Sequence, residues 1–150
     1  MARYSARSGS ELKLARKVSL LVYDPELDNR IKLVHNLLDN NLSKCRELLE
    51  TMVVSYPYNA EPLILEGDYF LRKQMPDSAM HSSREAIDLN LDYLDKKTPL
   101  YQGKKIRNTV EEAERIILKD LVDHPGNGDL QKAKKEIRYM KRRIAGSCSG

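Results

Sequence analysis

The segment Asn59–Leu91, NAEPLILEGDYFLRKQMPDSAMHSSREAIDLNL, contains two amphipathic helices separated by a short break. Asn59 is placed to cap the first. Pro62 falls in its opening turn, where a missing N–H costs nothing, and the helical pattern continues to about Lys73. Pro76 and Asp77 open the second helix, which turns Ala79, Ala86 and Ile87 inward. Two short helices joined by a tight turn leave one apolar side each unburied, so more of the same must lie on either side.

Upstream the pattern repeats. Asp24 reads as an N-cap with Pro25 in the first turn, and Leu27, Ile31, Val34 and Leu38 carry a helix to about Asp39. Asn40 and Asn41 make a turn. The next helix puts Leu42, Cys45, Leu48, Leu49, Met52 and Val53 on one stripe until Pro57 ends it. A further helix, expected over about 11–23, buries Leu14, Val18, Leu21 and Val22. No segment shows the alternation of a half-buried strand, so the chain is predicted to be all-helical.

Shifted on itself by 34 residues, the sequence superposes Cys45, Ala79 and Ala113, then Leu49, Ser83 and Ile117, then Val53, Ile87 and Leu121. The polar residues Ser43, Asp77 and Glu111 share that phase, and Pro57 and Pro125 lie two periods apart with Leu91 between. Small side chains at 45, 79 and 113 have a physical use, because paired helices approach closely only where side chains are small. Thr109 and Glu112 have the spacing of a capping box that would start a helix there.

With Gly67 and Phe70 in its first helix and Ala79, Ala86 and Leu89 in its second, Asn59–Leu91 resembles a tetratricopeptide repeat. Neighbouring units at about 26–58 and 94–126 resemble it less. The first has Leu33 where the family prefers glycine, and Pro99 and Gly103 disturb the last. The resemblance implies antiparallel helix pairs stacked as a short right-handed superhelix. The expected layout is a flexible basic N-terminus over 1–9, one domain over 10–145 with terminal helices at about 11–23 and 129–145, and a disordered tail over 146–150.

The same resemblance implies a function. In this family the first helix of each pair lines a concave groove that binds protein or peptide, which by position assigns Arg30, Val34, Ile64, Asp68 and Arg72 to a partner. Members that clamp a C-terminal carboxylate do so with lysines and asparagines; Val34, Leu65 and Pro99 stand at the corresponding places, so that ligand is not expected. The reading is a non-enzymatic adaptor or scaffold that uses no cofactor, metal or small-molecule substrate.

Composition agrees with a packed, non-membrane chain. There are 150 residues, 32% charged and 41% hydrophobic, and no apolar run of the length a membrane helix needs. Mean hydropathy is −0.59. No signal-peptide core occurs, which places the chain in the cytoplasm unless a leader has been removed. Cys45 and Cys148, with His35, His81 and His124, are too scattered for a disulfide scaffold or a local metal site. Cys45 reads as a small buried residue, and His81 as a surface one. The sequence contains no nucleophile elbow, phosphate-binding glycine loop or metallohydrolase spacing.

The net charge of +4 is unevenly spread. Residues 1–23 carry +4 and residues 129–150 carry +5, leaving the middle at −5. Within 129–144, Leu130, Ala133, Ile137, Met140 and Ile144 form a narrow apolar seam, while Lys134, Lys135, Arg138 and Arg142 belong to a basic surface. Such a helix can cap the array, meet a partner or the acidic middle of another copy, or bind phosphates of lipid or nucleic acid. The last is least favoured, since Tyr139 is the one aromatic nearby.

Overall fold

The computed structural model describes residues 9–11, 24–97 and 101–148, without the side chains of the last two. All regular structure among the described residues is helical. Six α-helices follow in order: α1 (Pro25–Asn40), α2 (Leu42–Ser55), α3 (Glu61–Arg72), α4 (Pro76–Leu89), α5 (Gly103–Asp123) and α6 (Gly128–Cys148), with a 3-10 turn over Leu91–Leu94. The expected helix at 11–23 and the region of Pro99 lie outside the described residues, Glu11 excepted.

Local chemistry accounts for the boundaries. The Asp24 carboxylate accepts the N–H groups of Glu26 and Leu27 at 2.9 and 3.2 Å and so starts α1. Asn41 works twice: its backbone N–H closes α1 on the Leu37 carbonyl at 2.8 Å, and its side chain accepts from Lys44 N to open α2. Asn59 accepts from Glu61 N at 2.9 Å, one position before the Ala60 N-cap. Gln74, with φ of 57°, makes the left-handed turn between α3 and α4. The Asn127 side chain accepts from Leu130 N at the start of α6.

Packing follows chain order with a regular offset. α3 lies against both α1 and α2, α5 against both α3 and α4, and α6 against both α4 and α5. The buried residues form two clusters. One joins α1, α2 and α3 through Leu27, Val34, Leu38, Cys45, Leu49, Met52, Leu65 and Tyr69; the other spreads from Val53 through Leu63 and Ile64 to Ile137, Met140 and Ile144. All nine residues superposed by the 34-residue shift are buried.

The third unit differs from its sequence reading. Over 94–126 a helix pair was expected, with the second member starting at a Thr109–Glu112 box. Instead one helix runs from Gly103 to Asp123, and the described residues before it, 91–97 and 101–102, form a 3-10 turn and irregular chain. Thr109 does not cap: its hydroxyl donates to the Lys105 carbonyl one turn back at 3.0 Å, and Glu112 is engaged by Arg115. The partner of α5 is therefore α6, which continues through 146–148 rather than ending at 145.

α3 contributes to both clusters, and at Gly67 it stands close to α4 and α5. A Cβ there would stand 3.2 Å from Thr109 Cγ2 and 3.5 Å from Ser83 Oγ. The loop before α5 is tied back by Tyr93, whose hydroxyl accepts the Ala60 N–H at 3.2 Å and whose carbonyl accepts Gln102 N at 2.7 Å. Burial pushes the Tyr93 phenol up to about 12. Gly67→Val is expected to lower unfolding stability by about 1–3 kcal/mol, with part recovered by Thr109→Ser; an unchanged urea midpoint would contradict the close approach. Tyr93→Phe, which leaves a buried N–H without its acceptor, should cost about 1–3 kcal/mol in the same assay.

Candidate functional site

Of the five residues assigned to a partner, Val34 and Ile64 do not line an open surface. They are 0% and 2% exposed and belong to the two core clusters. Val34 lies on the α1 stripe with Leu27 and Leu38, and α3 is covered from Pro62 to Gly67, so position in the repeat pattern does not distinguish groove from core here. Arg30 points elsewhere. It pairs with Glu26 at 2.6 Å and lies over the Tyr56 ring, 5.8 Å from its centroid, between α1 and the end of α2.

Asp68 and Arg72 do share a surface, one turn apart on α3. Arg72 reaches α1, donating to the Leu38 carbonyl at 3.0 Å and to the Asp39 carboxylate at 2.5 Å. Asp68 is half-buried. Burial pushes its carboxyl above the ordinary 3.8, against the opposing pull of Lys105 on α5, His35 on α1 and Arg72. Three non-consecutive helices thus bring charged side chains to one face. His35, Asp39 and Lys105 were not singled out from the sequence. A signal existed: Asp39 and Arg72 are 33 residues apart, as are Arg72 and Lys105, close to the repeat length.

The basic helix α6 divides its charge between two tasks. Lys141 holds Glu114 of α5 at 2.6 Å, Arg143 holds Asp88 of α4 at 2.6 Å, and Glu136 accepts from Arg84 of α4 at 2.7 Å. Tyr139 lies beneath Arg84 and Arg143, 4.7 and 5.8 Å from its ring centroid. Lys134, Lys135, Arg138 and Arg142 have no ion pair among the described residues; the first is half-buried and the others are exposed.

Between α4 and α6 a cleft of about 400 Å³ is lined by Asp77, His81, Arg84, Asp129, Lys132 and Glu136, among others. Burial and the neighbouring Asp129 raise the Asp77 carboxyl, opposed by Lys132. His81 is exposed and pairs with Glu85 at 2.8 Å. No three His, Cys, Asp or Glu side chains gather to hold a metal ion among the described residues. Cys45 is fully enclosed, and burial raises its thiol pKa, the environment of a packing residue. No described helix is long and apolar enough to cross a membrane.

Compared with protein-family models, with curated proteins and with solved structures, the chain matches none.

The Asp68 environment makes a pH-dependent prediction. The unfolded carboxyl ionises near 3.8 and the folded one at higher pH, so stability falls as pH rises across that interval and the deficit persists at neutral pH. Asp68→Asn should therefore raise the Tm at neutral pH, and its advantage should shrink towards zero below pH 3.8. A variant less stable than wild type at neutral pH would show that the attraction of Lys105 and Arg72 outweighs burial.

Proposed function

We propose that the chain is a non-enzymatic, tetratricopeptide-like scaffold that holds a segment of a protein partner against the face shared by α1, α3 and α5. The observation that carries this reading is the gathering of His35, Asp68, Arg72 and Lys105 from three helices that are not consecutive in the chain. Side-by-side packing of α1 with α3, and of α3 with α5, supports a superhelical row of first helices. The exposed part of this face is polar, so it suits a charged extended segment bound through hydrogen bonds and ion pairs rather than an apolar anchor. Arg72 also ties α1 to α3 and serves the fold as well as the surface.

Affinity capture from the native extract tests the reading, comparing wild type with a triple variant, His35→Ala, Asp68→Asn and Lys105→Ala. Arg72 is kept so that the α1–α3 tie survives, and folding is verified by circular dichroism. A protein held by wild type and lost by the folded variant is the expected result. Identical capture by both would remove this face as the binding surface.

A further inference from the structure

The regular offset of the packing leaves one seat open. α3, α5 and α6 each lie across two earlier helices, so the groove between α5 and α6 is the next position in the progression. α4 packs on one side of this pair, and the side carrying the exposed Leu118 and Val122 has no described helix after α6 to cover it. At one end it holds a cleft of about 270 Å³, with Val110 and Ile144 at its base and Arg107, Glu111, Lys141 and Ala145 at its walls. Along α5, Leu118 and Val122 continue the line of Arg107, Glu111 and Glu114 at steps of three and four residues, and they are 43% and 81% exposed. The opposite wall is basic. Lys134 and Arg138 lie on the side of α6 that carries Lys141, and neither has an ion pair among the described residues.

We infer that this groove receives an acidic amphipathic helix from a partner protein, lying as a further helix of the stack would lie. Charge selects that occupant. Lys141 is neutralised by Glu114, but Lys134 and Arg138 remain unpaired along the stretch where α5 exposes Leu118 and Val122, so an incoming helix gains from an apolar stripe flanked by carboxylates and loses from a cationic flank. The groove lies away from the Asp68 face, and the two readings stand or fall separately.

The test uses the full chain and a fluorescent peptide of about four helical turns, with Leu at i, i+3, i+4 and i+7 positions and Glu on the flanks, followed by anisotropy. The amphipathic peptide should bind about tenfold or more tighter than a scrambled peptide of the same composition. A Leu118→Glu, Val122→Glu double variant and a Lys134→Glu, Arg138→Glu double variant should each weaken binding about tenfold, while His35→Ala with Lys105→Ala leaves it unchanged. All four groove side chains are at least partly exposed, so the variants keep the core, as circular dichroism will verify. Equal binding of the scrambled peptide would reduce the effect to bare charge and overturn the inference. So would no binding, displacement of the peptide by duplex DNA or by phosphatidylserine vesicles at lower concentration, or growth in mass of the chain alone that blocks the peptide, which would make a second copy the occupant.

Discussion

The contact between α3 and the helices around it is the constraint from which the remaining architecture follows. α3 is buried from Pro62 to Gly67 and again at Tyr69, and it contributes Leu65 and Tyr69 to one cluster and Leu63 and Ile64 to the other. A twelve-residue helix enclosed on so many sides leaves little room, and Gly67 provides it by letting Thr109 and Ser83 approach where a side chain would stand. The same enclosure determines what α3 can show to the outside. Asp68 and Arg72 are on its remaining side, where Arg72 reaches the Asp39 carboxylate of α1 and Asp68 feels the charge of Lys105 on α5.

Much of the fold was legible from residues. Pro25, Pro62 and Pro76 stand in opening turns, Asp24 and Asn59 accept N–H groups at the starts of α1 and α3, and the 34-residue phase of Cys45, Ala79 and Ala113 coincides with full burial. The error at 94–126 has an identifiable source. Thr109 and Glu112 have capping-box spacing, but a threonine inside a helix can return its hydroxyl to the carbonyl four residues before it, and spacing does not separate the two uses. A periodic burial pattern also continues unchanged whether Ala113 lies on the second helix of a pair or on the first.

The site was less legible, for a related reason. Helical periodicity says which residues leave the solvent but not which of the apolar ones face a groove, so Val34 and Ile64 were assigned outward by position and lie inside. Charged residues carry the opposite ambiguity. Seven cations on α6 look alike in sequence; only their neighbours separate Lys141 and Arg143, which fasten the helix to Glu114 and Asp88, from Lys134 and Arg138, which do not. Those acidic neighbours are tens of residues away, beyond the reach of any local pattern.

Sharing of α3 between two clusters also bears on how the molecule comes apart. Helical arrays with contacts restricted to neighbours are prone to fray from an end, shedding one layer while the others stay folded. Here the α1–α2 layer cannot detach without uncovering Leu65 and Tyr69, and the α5–α6 layer cannot detach without opening the contact between Gly67, on the same helix, and Thr109. Both ruptures expose opposite sides of one short helix that has little to hold it in water by itself. Melting at either end therefore spreads through the middle, and a chain built of separable layers unfolds as a single cooperative body.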